Sequence, residues 1–273
     1  MNLSRTCRKI TALFLRDLAV ARSYRVAFLM QFFDALLGVA AFYFLSRFVQ
    51  SPQLTQSLPQ GGSYFSFALV GFAFFDYLGV ALNAFDQSLE EARQNGTLEY
   101  LIVTQTSLPV ILAGSALYPF AVLSLRTVVY LAWGVLLFSF PAAQANWLGA
   151  IVVLAVSVLA FAGLGVLSAS YMLLFKRGNP VKWFFLGVSG LVSGVMYPVN
   201  VLPRPLQWIG RLVPVTYSLE GMRAAILGHA STAELWPVIR DLLGFAVVLL
   251  PVSFAAFSWA LRRTKITGTL THF

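Results

Sequence analysis

Asp34, Asp76 and Arg126 stand inside long apolar stretches of this chain, where a charge is costly unless it is paired or faces a watery cavity. Two readings fit them: a polar lining of a pathway or hinge, or a clamp between helices. One natural pairing is Arg126 with Asp76, which the sequence does not fix. A second candidate pair is Glu220 with Arg223, one helical turn apart. Catalytic signatures are missing. The two histidines, His229 and His272, fall in a loop and among the last residues, and neither HExxH, GxSxG nor a paired-aspartate motif occurs. The single Cys7 cannot form an internal disulfide, and no metal site is expected. No GxxxxGK[ST] loop is present to cradle phosphates, so any ATP-derived energy must come from another chain.

The elements that must position these charges are membrane helices. Crossing a bilayer takes roughly 20 mostly apolar residues, and six stretches qualify: 26–48, 64–85, 108–138, 147–175, 181–199 and 242–261. Hydrophobic residues make up 59% of the chain and charged residues 11%, well below the usual soluble share of about 25% charged. The expected fold is all-α and polytopic.

A net charge of +9 raises the question of nucleic acid, and placement answers it. Arg5, Arg8, Lys9, Arg16, Arg22 and Arg25 precede the first stretch, Arg93 follows the second, Lys176, Arg177 and Lys182 link the fourth and fifth, and Arg262, Arg263 and Lys265 follow the sixth. Six crossings put these on one side, against Arg204, Arg211, Arg223 and Arg240 on the other. The excess marks the cytoplasmic face and puts both termini inside; no nucleic-acid partner is expected. In residues 3–22 the basic Arg5, Lys9 and Arg16 oppose Leu3, Ile10, Phe14, Leu18 and Ala21. This predicts an interfacial helix on the inner leaflet instead of a cleavable signal peptide. Asp17 falls near its apolar side.

Two connections are more informative than the rest. After the second stretch, Asp86, Glu90, Glu91 and Arg93 form a solvated helix face that Asn95 and Gly96 stop, and Thr97 can cap a second short helix bearing Glu99. The second connection follows the fifth stretch, where Pro198, Pro203, Pro205 and Pro214 interrupt an apolar segment. Short helices are expected at 205–212 and 218–227, the latter closed by Gly228. Such a segment either dips into the membrane and returns or rests as an amphipathic hairpin on the outer leaflet.

Glu91-Ala92-Arg93-Gln94-Asn95-Gly96-Thr97-Leu98-Glu99-Tyr100-Leu101 with Val103-Thr104, and later Pro214-Val215-Thr216-Tyr217-Ser218-Leu219-Glu220-Gly221-Met222-Arg223, resemble the type-2 ATP-binding-cassette (ABC) exporter permeases. The resemblance covers nearly the whole chain; Gln105 stands where the family often has proline. It implies one permease domain: an interfacial helix at 1–25, five spans within 26–199, a coupling helix near 86–104, a re-entrant segment at 200–234, and the sixth span with a cytoplasmic tail at 235–273. Glu90, Glu91, Arg93, Gly96, Leu98 and Glu99 would contact a cytoplasmic ABC ATPase, with Arg5, Lys9 and Arg16 as a flanking surface. Pro214, Tyr217, Glu220 and Arg223 would form the re-entrant gate. The implied assembly has two permease copies, two ATPase subunits that bind ATP and Mg, and surrounding lipid, in a bacterial plasma membrane. The implied cargo is a drug or lipid-like molecule, with a lipid-linked polysaccharide as the alternative. An ion-coupled carrier would also suit intramembrane Asp and Arg; it has no use for a helix presented to an ATPase.

Aromatic rings on the first stretch (Phe32, Phe33, Phe42, Tyr43, Phe44) and on the second (Phe65, Phe67, Phe72, Phe74, Phe75, Tyr77) could line a path or fill the core. Gly187, Gly190 and Gly194 on the fifth would allow close packing, as a dimer seam or internally.

Overall fold

The computed structural model describes residues 8, 11–12, 14–19, 25–48, 58, 63–94, 108–175 and 179–266. Among them every element is helical. In chain order these are α1 (Arg25–Phe48), α2 (Tyr64–Gln94), α3 (Leu108–Phe138), α4 (Trp147–Phe175), α5 (Pro180–Val192), a 3-10 turn (Val199–Val201), α6 (Arg204–Arg211), α7 (Pro214–Ile226) and α8 (Trp236–Ile266). Among the described residues four helices are long and apolar enough to cross a membrane, within α2, α3, α4 and α8. α1, at 24 residues, has the length as well.

α2 is the hub. Its apolar window is 72% buried, against 28% for that of α3 and 22% for that of α8, because α3, α4, α5, α7 and α1 all pack on it, while α8 lies along α4. One continuous core joins Leu69, Leu78 and Leu82 of α2 to Phe161 and Leu164 of α4, Leu219 and Met222 of α7 and Leu242 of α8. The aromatic rings serve this core: Phe65, Phe67, Phe74 and Tyr77 are buried, Phe42 meets Phe72 at 4.1 Å between ring centres, and Tyr43 meets Phe138 at 4.5 Å. Phe33 and Phe44 face outward instead, and Phe32 lies outside the described side chains.

The fifth apolar stretch departs from expectation. Its helix has 13 residues, about 20 Å at 1.5 Å per residue, short of the roughly 30 Å of hydrocarbon. Asn179 caps its start by accepting from the Lys182 amide at 3.0 Å, with Pro180 in the first turn. It ends because Gly194 turns into the left-handed region (φ +77°), open to glycine at little cost, and Pro198 then prevents a restart. Gly194 therefore belongs to a turn, and its expected helical pairing with Gly190 does not form. Gly187 faces open space.

Residues 14–19 are helical and Phe14 sits 6.1 Å from Tyr118 of α3. Asp17, out of place on the apolar side, is bonded by Arg16 at 2.7 Å, while Leu15 and Leu18 point outward. We expect this helix to lie along the membrane; spin labels walked through it should alternate between lipid and water accessibility, and uniform burial would sink the idea.

Candidate functional site

Three polar constellations interrupt the apolar core. The first centres on Arg223 in α7, 4% exposed. α7 begins with Pro214 in its first turn, after the break at Leu212 and Val213, and inserts its buried face between α4 and α2. Arg223 Nη1 donates to the Gly194 carbonyl at 2.7 Å, Nη2 to those of Val195 at 2.9 Å and Phe67 at 3.0 Å, and Nε to Phe67 at 3.2 Å. Its guanidinium also stacks on the Phe67 ring, 3.4 Å from the centre. One side chain thus joins α7, the first turn of α2 and the turn after α5. Gly71 makes this possible: a Cβ there would collide with the Val195 carbonyl and with Arg223 itself.

The expected Glu220–Arg223 pair does not form. Arg223 reaches inward to three carbonyls, which satisfy four N–H directions, while Glu220 is exposed. Tyr217 donates to the Arg211 carbonyl at 3.1 Å and packs on Phe245 of α8. Of the expected gate residues, then, Pro214 starts α7, Tyr217 ties it to α6 and α8, and Arg223 anchors it. α7 buries one face against α4 and α2, whereas Trp208 of α6 and Leu212 just after it are exposed.

The second constellation lies at the other end of α2. Asp86, expected on a solvated face, is half-buried and accepts from Asn179 at 2.6 Å and from the Ser168 hydroxyl of α4 at 3.3 Å. Asn179 also donates to the Ser168 hydroxyl at 2.7 Å, and Lys182 bonds Asn83 one turn before Asp86. The sequence carried a usable signal here, since Asn179-Pro180 reads as a cap with a first-turn proline. Asn179→Ala should remove that cap, worth about 1 kcal/mol, and deprive Asp86 of its nearest donor, costing about 1–3 kcal/mol more. Thermal melts of the two single alanine variants at Asp86 and Asn179 and of the double should show losses that do not add; additive losses would mean the two do not interact.

The third constellation lies midway along the helices. Arg126 of α3 donates to Asp34 of α1 at 2.7 Å and to the Tyr130 hydroxyl at 2.6 Å, so its partner is Asp34 and not Asp76. α1 packs on α3 and brings the Asp34 carboxylate to within 2.7 Å of the guanidinium. Asp76 lies across a cleft of about 380 Å³ between α2 and α3, whose wall Arg126 shares.

Of the expected ATPase contacts, Glu90, Glu91 and Arg93 belong to the last turns of α2, which runs unbroken to Gln94. Gly96, Leu98 and Glu99 lie outside the described residues. Among the described residues no group of His, Cys, Asp or Glu could hold a metal ion.

The first two constellations tie α2 to its neighbours near both of its ends. A family model described as ABC-2 type transporter matches residues 8–227. The chain is similar to the Linearmycin resistance permease protein LnrN of Bacillus subtilis, 27% identical over 176 residues, covering 63% of this chain and 43% of the relative. It is also similar to the Uncharacterized protein YhgE of the same organism, 30% identical over 107 residues, covering 37% of this chain and 13% of the relative. The chain thus spans less than half the length of either relative.

Proposed function

Because this chain belongs to the ABC-2 type transporter family, a family of multi-pass membrane permeases, we propose that it is the permease subunit of an ATP-driven exporter. Two copies enclose the pathway, and two cytoplasmic ABC ATPase subunits, which bind the ATP and Mg, drive it. The match over residues 8–227, from the N-terminal helix through α7, carries this reading. The six crossings are α1, α2, α3, α4, α5 with its irregular continuation, and α8, with both termini in the cytoplasm of a bacterial cell. α6 and α7 form the re-entrant outer segment, a depth that broken helices tolerate when protein satisfies their freed backbone groups. The relative named for linearmycin resistance is a permease by name, which supports the same role here.

Closing of the ATPases on ATP acts on the end of α2 near Glu90, Glu91 and Arg93 and shifts the dimer between inward-open and outward-open states. ATP does work only through its different affinity for the two. The cargo is a hydrophobic or amphipathic small molecule. Supporting this, the rings of α2 are spent in the core, and the cleft beside Asp76 sets Val80, Ala84, Pro119 and Leu123 beside its polar groups. The test is co-expression with a candidate ABC ATPase, co-purification, and uptake of a fluorescent amphiphile into proteoliposomes. ATP-dependent uptake that stops with a hydrolysis-dead ATPase is expected. Uptake driven by an ion gradient alone, with no ATPase retained, would overturn the reading.

A further inference from the structure

The cleft between α2 and α3 carries a charge imbalance that the helix packing does not use. α2 contributes Asp76, Val80 and Asn83, which share one face at helical spacing, and α3 contributes Pro119, Leu123 and Arg126. Arg126 is taken by Asp34 at 2.7 Å and held by Tyr130 at 2.6 Å. Lys182, the other cation at this face, bonds Asn83 beside Asp86 at the far end of the cleft. Two carboxylates therefore share one guanidinium, and among the described residues no cationic nitrogen lies within 4 Å of Asp76. A carboxylate in that position, within a helix apolar enough to span a membrane, is costly without a partner. The space in front of it is open, and its volume of about 380 Å³ falls inside the range of roughly 300–1,000 Å³ usual for small-molecule sites. Asp76 closes one end, and Val80, Pro119 and Leu123 offer an apolar wall.

We propose that this cleft binds the cationic head of an amphiphile, with Asp76 as its counter-charge and the apolar part of the molecule against Val80, Pro119 and Leu123. The inference rests on the proposed function for its meaning, since it names the class of cargo as lipophilic cations, but binding itself needs neither ATP nor ATPase. An anion of the same shape meets Asp76, and Arg126, which shares the cleft wall, is already engaged by Asp34. A neutral one gains the apolar wall alone.

Tetraphenylphosphonium and tetraphenylborate, nearly identical in shape and opposite in charge, separate these cases. Equilibrium dialysis against the full chain in neutral-lipid nanodiscs, with empty nanodiscs as the blank, should show saturable binding of the phosphonium at about one site per chain and none of the borate. Asp76→Asn should weaken phosphonium binding about tenfold or more, and Asp76→Glu should retain most of it, because a buried charge partner governs affinity more than a rim charge does. Asp34→Asn should weaken it too, by freeing Arg126 to turn to Asp76, and Leu123→Trp should do so by filling the cleft. Saturable borate binding, phosphonium binding indifferent to Asp76→Asn, or no saturable binding to the unaltered chain would each overturn the proposal. ATP-driven export without phosphonium binding would refute this site and leave the exporter standing. Phosphonium binding by a chain that retains no ABC ATPase on co-purification and shows no ATP-driven uptake would do the reverse.

Discussion

Arg223→Met should yield little folded protein from membranes, and what is recovered should melt far below the unaltered chain. Substituting methionine keeps the bulk and removes every donor, leaving the carbonyls of Gly194 and Val195 buried without the partner they have now. Each such loss costs about 1–3 kcal/mol, and a charged donor makes the stronger bonds. The sum for the two, about 2–6 kcal/mol, is a large share of the roughly 5–15 kcal/mol by which proteins are stable. Gly71→Ala should be nearly as damaging, since its methyl group would occupy the space of Arg223 and the Val195 carbonyl. Glu220→Ala should be much milder, because Glu220 is exposed and the hydrogen bonds of Arg223 go to main-chain carbonyls. Folded yield and melting temperature of the three variants decide the matter: a normal Arg223→Met, or a Glu220→Ala as damaging as it, would show that the anchor has been misplaced.

The second large effect is on transport with stability preserved. A Glu91→Lys and Glu99→Lys double variant, or Gly96→Pro, should leave the helices inserted while ATP-driven uptake falls about tenfold or more, since conformational steps of this kind set turnover. Glu91 lies in the last turn of a helix of 31 residues, about 46 Å long at 1.5 Å per residue. A push at that end reaches Asp86, and through Asn179 the start of α5; at the other end the same rigid helix offers its Phe67 carbonyl to Arg223. Uptake in proteoliposomes and retention of the ATPase on an affinity resin are the two readouts. Full uptake with full ATPase retention would remove this segment from the coupling route.

What the residues announced and what they concealed divide along physical lines. Long apolar runs declare helices, so α1, α2, α3 and α4 lie close to their expected positions; the start of α7 at Pro214 was also readable as a first-turn proline, although the helix was expected to begin at Ser218. Partner choice was not readable. A charge inside a membrane must be compensated, but which group does so depends on how helices rotate and cross. Arg126 found Asp34 on a helix far away in sequence, and Arg223 preferred main-chain oxygens that no sequence pattern advertises. The shortness of α5 was masked because residues 195–199 stay apolar while leaving the helix, and hydropathy does not register a glycine with positive φ. Asp86 was misjudged for the same reason: a carboxylate near a helix end reads as solvated until a neighbouring loop, here Asn179, covers it.

The early ending of α5 has a consequence for how the Arg223 anchor responds to its surroundings. Aligned peptide units give a helix a macrodipole with about half a negative charge at its C-terminus, and α5 ends at Val192, immediately before the carbonyls that hold Arg223. The guanidinium is thus compensated by peptide dipoles, where a carboxylate would have been the simpler choice. Dipoles do not titrate. An anchor of this kind keeps its strength as its surroundings turn acidic, whereas a Glu–Arg latch at the same place would loosen once its carboxylate took up a proton. The hold of Arg223 on α7 therefore does not depend on the protonation of a carboxylate.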